Sequence, residues 1–303
     1  MSFDAWVLEH EPAIRLTVFV GVFVVVGAWE SISPRRALVV PKASRWVHNM
    51  SLVALNTVLV RLVFPLAAAG FAALCASRGW GLLNQARLPA WIAWALAVMA
   101  LDFVIWLQHV MLHAVPLLWR LHRVHHADLD YDVTTGARFH PLEIVLSMGI
   151  KFAAIALLGP PVVAVVAFEV LLNATSMFNH GNIRLPTALD RVLRWLVVTP
   201  DMHRVHHSTD DEETNSNFGF NLPWWDRLFG TYRPQPRSPH ETMEIGLRGA
   251  RDVLDTNRLP GMLAMPWRAV PGGYDIARRR SKAAQRAPNG DPPRKGASEE
   301  ETG

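Results

Sequence analysis

The stretch IVLSMGIKFAAIALLGPPVVAVVAFEVLLNATSMF, residues Ile144–Phe178, decides how this chain folds. It is apolar along most of its length, yet too long for one membrane crossing, which takes a helix of roughly 20 residues. Gly159-Pro160-Pro161 interrupts it near its middle. Adjacent prolines remove backbone donors and stop a helix, so the stretch reads as a helical hairpin that crosses and returns. On either side stands the same word, in LHRVHHADLD at Leu121–Asp130 and in MHRVHHSTDD at Met202–Asp211. A hairpin between them puts both copies on one side of a membrane.

Upstream lie three further apolar segments: Ile14–Trp29, Leu52–Ala76 with Arg61 and Pro65 inside it, and Pro89–Leu107, apolar apart from Asp102. Half of the 303 residues are hydrophobic and only 18% are charged, which is charge-poor for an ordinary soluble domain. The expectation is an all-α integral membrane bundle of about three spans plus the hairpin, with a histidine-rich metal-binding cap. Residues 1–100 are read as N-terminal transmembrane helices, 101–235 as the catalytic region, 236–276 as a C-terminal cap segment and 277–303 as a disordered tail. The tail, ARRRSKAAQRAPNGDPPRKGASEEETG, has no apolar periodicity.

The first segment is read as a retained span. Asp4, Glu9 and Glu11 stand where a signal peptide would carry basic residues. Arg35, Arg36, Lys42 and Arg45 follow it, and this bias places the N-terminus outside and residues 33–48 in the cytoplasm. Counting spans from there puts both HRVHH words and the C-terminus on the cytoplasmic side of a multi-pass protein. Arg61 and Asp102 are costly in lipid and are expected to face protein or the cap. Asp102 shares a helix face with His109 and is placed to orient it.

Cys75 is the only cysteine, which excludes an intrachain disulfide and a cysteine-ligated iron–sulfur cluster. Any redox partner is then a separate molecule. The isoelectric point near 9.6 arises from basic residues spread along loops and the tail. That pattern suits anionic lipid headgroups better than nucleic acid, and no nucleic-acid partner is expected.

Ten of the thirteen histidines fall between His109 and His207. His109 and His113 are spaced i, i+4; His122, His125 and His126, like His203, His206 and His207, are spaced i, i+3, i+4. Such spacings share a helix face, so each word is expected to aim three imidazoles at one place. Clustering so many rings without a metal leaves their nitrogens short of partners. One ion cannot use so many ligands, so two are expected, although imidazole alone does not choose among Zn, Cu, Ni and Fe. Asp128, Asp130, Asp210 and Asp211 follow the two words and could accept ring N–H bonds, or could cap helices and line a solvated loop. His10, His48 and His240 are read as surface or interface residues.

The order HxxxH (His109, His113), HxxHH (His122, His125, His126), FNHGN (His180) and HxxHH (His203, His206, His207) resembles the fatty acid hydroxylase and sterol desaturase superfamily of membrane di-iron oxygenases. The resemblance runs from about Asp102 to Tyr232 and includes RFHPLE at Arg138–Glu143 and NLPWWDRLFGTY at Asn221–Tyr232. It implies two non-haem irons held by the histidines named above, with His180 as a ligand between the boxes and His140 either a ligand or a partner to one. It also implies O2-dependent hydroxylation or desaturation of a lipid C–H bond, with electrons from ferredoxin, a cytochrome or a reduced pterin. WWDRLFG, Trp224–Gly230, is expected either to line a substrate tunnel or to pack the cap against the membrane boundary.

Two other classes remain open at this point. A zinc-dependent membrane hydrolase would want a glutamate base beside a ligand, which neither HRVHH word contains. A metal transporter or sensor would want ligands within the spans, whereas these follow them.

Overall fold

The computed structural model describes residues 3–269. Among the described residues there are fourteen α-helices and two short 3-10 turns (Thr135–Ala137 and Met265–Trp267); the α-helices are α1 (Phe3–Ile32), α2 (Lys42–Val63), α3 (Ala68–Arg78), α4 (Leu82–Gln85), α5 (Ala90–Ala114), α6 (Pro116–His126), α7 (Pro141–Leu158), α8 (Val162–Asn179), α9 (Thr187–Leu193), α10 (Pro200–His206), α11 (Asp211–Thr214), α12 (Trp224–Leu228), α13 (Val253–Thr256) and α14 (Leu259–Ala264). Five segments among the described residues are long and apolar enough to cross a membrane: α1, Lys42–Gln85, α5, α7 and α8. The all-helical bundle expected from the sequence is therefore present. The tail at 277–303 lies outside the described residues.

The hairpin forms where the prolines put it. Helix α7 stops at Gly159, whose φ of 63° suits a residue without a Cβ, and α8 starts after Pro161. A Cβ on Gly81 would lie 2.2 Å from the Gly159 nitrogen, so the α3–α5 connection closes tightly over this end. Small residues let the bundle pack closely: Ala68, Ala69, Ala72 and Cys75 of α3 meet Leu101 and Ile105 of α5, Ile155 of α7 and Val165 of α8.

The second apolar segment differs from its sequence reading. It begins earlier, at Lys42, and breaks between Val63 and Ala68, because Pro65 cannot continue a helix and disfavours helical geometry in the residue before it. Arg61 is exposed in the last turn of α2 rather than facing protein, where its long stem can carry the charge toward a membrane boundary. The opposite stripe of α2, Arg45, Asn49, Leu52 and Asn56, is buried. Asn49 donates to Thr134 Oγ1 at 2.9 Å and Asn56 to the Phe139 carbonyl at 2.8 Å, so this stripe fastens residues 128–139 to the bundle.

Charges inside the apolar hairpin are neutralised in place. Glu169 of α8 accepts from Lys151 of α7 at 2.6 Å and from Arg15 of α1 at 3.0 Å, and Arg15 also reaches Glu11 at 2.9 Å. Asp102 faces protein, as its cost in lipid requires, but it holds Asn221 Nδ2 and Trp225 Nε1, each at 2.8 Å, rather than a histidine ring.

Candidate metal centre

Four helices deliver the histidines to one end of the bundle. Helix α5 carries His109 and His113 in its last turns, and α6 follows at once because Pro116 starts a new helix after Val115. His180 caps the end of α8, and α10 carries His203 and His206 with His207 as its cap. Thr199 Oγ1 accepts the Met202 N–H and so fixes where α10 begins.

Nine buried imidazoles converge, in two adjoining groups. His109, His113, His122, His126 and His206 form one; His125, His180, His203 and His207 form the other; within each group the ligand atoms lie within 4.8 Å of one another. Each HRVHH word thus serves two places rather than one. The cause is helix geometry: at about 100° per residue, positions i+3 and i+4 fall on opposite sides of i. His122 and His126 take one group and His125 the other, while His203 and His207 take the second and His206 the first.

Outer ring nitrogens are anchored. His109 Nδ1 donates to the Phe218 carbonyl and His206 Nδ1 to that of Ser216, both at 2.7 Å. His180 Nδ1 donates to the Ser176 carbonyl at 2.7 Å, and His125 Nδ1 to that of Arg138 at 3.2 Å. A carbonyl can only accept, so each of these rings holds its hydrogen on Nδ1 and presents a bare Nε2 lone pair. Yet His206 Nε2 lies 3.0 Å from His109 Nε2, and His180 Nε2 lies 3.2 Å from His125 Nε2. Lone pairs facing each other repel unless a positive charge sits between them. A proton is disfavoured, because burial pushes His122 and His180 down to about 3 and His125, His126, His203, His206 and His207 well below the usual imidazole value. The donor set therefore fits metal cations, for which neutral imidazoles with bare Nε2 atoms are ready ligands.

His140 stands apart. It caps α7, its Nδ1 accepting the Leu142 N–H at 3.2 Å while Nε2 donates to the Leu263 carbonyl at 3.3 Å. Both nitrogens are thus engaged outside the two groups. His240, read from sequence as a surface or interface residue, is buried at 4% exposure beside Gln235 and Asp201.

Asp128, Asp130 and Asp210 are used elsewhere. Asp128 binds Arg45 through Nε at 3.0 Å and Nη2 at 2.7 Å, both side chains having no exposure. Burial alone raises this carboxyl, but the guanidiniums of Arg45 and Arg138 outweigh it and hold it below the usual carboxylate range. Asp130 accepts the N–H groups of Val39 and Val40, and Asp210 caps α11. A carboxylate that does meet one of the nine clustered imidazoles is Glu143, whose Oε1 lies 2.7 Å from His122 Nδ1. Its residue stands in RFHPLE, so the signal was in the sequence, but nothing local says that it turns toward α6.

Two further residues shape the site. Asp226 accepts the N–H groups of Phe218 and Gly219 at 2.9 and 2.8 Å, fixing the strand of chain whose Phe218 carbonyl holds His109. Tyr131 stacks on His180 with ring centroids 5.4 Å apart, and its hydroxyl donates to the Asn179 carbonyl at 2.6 Å.

The fold and the cluster together define a membrane helical bundle with a buried polyhistidine site at one end. Residues 94–231 match the model of the fatty acid hydroxylase family. The chain is 31% identical to ornithine lipid hydroxylase OlsE of Rhizobium tropici over 155 residues, 51% of this chain and 45% of that protein. It is 31% identical to the alkylglycerol monooxygenase of Homo sapiens over 142 residues, 47% of this chain and 31% of that protein. It is 32% identical to a cholesterol 25-hydroxylase-like protein of Danio rerio over 148 residues, 46% of this chain and 56% of that protein. The chain thus spans between about a third and just over half of these relatives. No solved structure matches it significantly.

Proposed function

We propose that this protein is a membrane lipid hydroxylase with two non-haem irons, one held by His109, His113, His122, His126 and His206 and the other by His125, His180, His203 and His207. The observation that carries the reading is the pair of buried groups with converging bare nitrogens, set at the end of a membrane bundle. When bound, the irons supply O2 reduction and the removal of hydrogen from an unactivated C–H bond. The balanced reaction is RH + O2 + 2e⁻ + 2H⁺ → ROH + H2O.

The chain's own residues do the rest. Carbonyls of Phe218, Ser216, Ser176 and Arg138, with the Glu143 carboxylate, fix the rings so that Nε2 faces inward. Phe220 lies against His109 and His203, and Phe139 lies against His125, which keeps apolar surface beside both groups. That surface suits a lipid chain and excludes bulk water. The hydroxylases among the relatives are named for an ornithine lipid, an alkylglycerol and cholesterol, which supports a lipid substrate without choosing one. Electrons come from an external donor: ferredoxin, a cytochrome or a reduced pterin.

The histidine end is assigned to the cytoplasm, with the N-terminus outside, from the basic residues at 35–45. Reporter fusions after Glu11 and after Arg268 test this, and a cytoplasmic signal from the first or an external one from the second reverses it. The reaction is tested by supplying 18O2 to the reduced, iron-loaded protein and comparing lipid extracts with those of a His203→Ala control. A labelled lipid alcohol is the expected product. Loss of two hydrogens without label means desaturation, and neither change across sterols, acyl lipids and ether lipids rejects the oxygenase reading.

A further inference from the structure

Part of the cap descends along the side of α5. Trp225 bonds Asp102 and packs edge-on against Phe103 at 5.0 Å, and Phe229 stacks on Trp106 at 4.7 Å. Beside them a groove of about 510 Å³ is lined by Met99, Trp195, Trp224, Trp225, Arg227 and Leu228. Met99 precedes His109 by ten residues, about 15 Å of helix rise, and so lies near the middle of the α5 span. Chain that follows the α7–α8 hairpin thus lies alongside the middle of a membrane-crossing helix.

Its outer surface is largely apolar, Arg191 being the one exposed charge within 189–196, on a stem long enough to carry it toward the headgroups. Val192, Trp195, Leu196, Trp224, Leu228 and Phe229 are between 43% and 71% exposed, which is too much contiguous apolar surface for a cap bathed in water. Its backbone is treated as lipid would require. The turn after α9 leaves carbonyls without helical partners, and side chains reach across to supply them: Trp224 Nε1 donates to the Trp195 carbonyl at 2.6 Å and Arg227 Nη2 to that of Arg194 at 3.0 Å. In water these carbonyls need no such help; in hydrocarbon an unpaired one costs several kcal/mol. Arg227 is itself covered, its guanidinium 4.0 Å from the ring centroids of both Trp195 and Tyr232.

We propose that residues 189–196 and 224–229 are immersed in the acyl region of the bilayer against α5, as a non-spanning membrane anchor for the cap. The occupant of the groove and its rim is bilayer lipid, because the surface is continuous with the lipid-facing side of a membrane-crossing helix. The inference rests on membrane insertion and is independent of the catalysed reaction.

The test uses the full chain in phosphatidylcholine liposomes. In a Cys75→Ala background, Leu196→Cys, Leu228→Cys and, as a control, Thr242→Cys are labelled with an environment-sensitive fluorophore. Doxyl groups on lipid acyl chains should quench positions 196 and 228 several-fold more than position 242, and aqueous iodide should show the reverse order. Iodide quenching at 196 or 228 equal to that at 242 overturns the proposal. The unmodified chain gives a second reading: phosphatidylcholine with an acyl-chain diazirine should crosslink to peptides covering 189–196 and 224–229. Absence of adducts from both peptides, with adducts present on α1, also overturns it.

Discussion

His122 Nδ1 and Glu143 Oε1 lie 2.7 Å apart, both side chains buried, so a carboxylate from the first turn of α7 sets the orientation of a ring on α6. Such partners raise ligand basicity and hold the ring in place. Glu143→Ala should weaken metal binding by roughly 10- to 100-fold, and Glu143→Gln, which keeps an acceptor oxygen, by less. Metal competition titrations with a chelator on each purified variant measure this. Equal affinity for Ala and wild type would show that the contact does not support the site.

The two groups should lose metal separately. His206→Ala removes a ligand from the group of five and His125→Ala from the group of four. Each variant should lower metal content by about one ion per chain and the double variant by about two, with the bundle intact, since the spans do not depend on these rings. His140→Ala should keep both ions, because its nitrogens are spent on Leu142 and Leu263. Elemental analysis decides each case, and unchanged content in the double variant would falsify the assignment.

Acid should weaken the cap through His240. Burial and, to a smaller extent, neighbouring arginines lower this imidazole to about 4, against the pull of Asp201, whereas an unfolded histidine titrates near 6.5. Between those values the unfolded chain binds a proton that the folded chain refuses, so stability falls as pH drops from about 6.5 to 4 and is flat above. The ceiling is about 3 kcal/mol at about 1.4 kcal/mol per pH unit. Thermal unfolding at pH 7 and pH 5 should show a smaller acid-induced drop for His240→Gln than for wild type.

Arg45 should be costly to remove. It is fully buried and binds both Asp128 and Asp132, so Arg45→Ala takes the closest guanidinium from two buried carboxylates and leaves Asp128 only Arg138, at 3.6 Å. Breaking a buried pair from one side costs about 3–5 kcal/mol. The variant should melt well below wild type, and an Arg45→Lys change should recover only part of the loss, because an ammonium cannot match the two-nitrogen grip on Asp128. A melting point for Arg45→Ala equal to that of wild type would show the pair to be dispensable.

What the sequence determined by itself is what local rules govern. Apolar run length marked the five crossings, Gly159-Pro160-Pro161 marked the hairpin, and the 3.6-residue period marked the helices whose faces carry His109 through His207. Tertiary structure alone decided how those rings are divided, since His109 meets His206 across 97 positions and the sharing follows from how α5, α6, α8 and α10 cross. It also decided that Asp128 answers Arg45 across 83 positions and not a nearby imidazole, and that Glu143 rather than an aspartate meets His122. His140 matched its motif and still fell outside, because capping α7 took one nitrogen and Leu263 the other. Spacing along a helix fixes the direction in which a side chain leaves the backbone; which partner waits there depends on segments brought in by packing, and no local period encodes that.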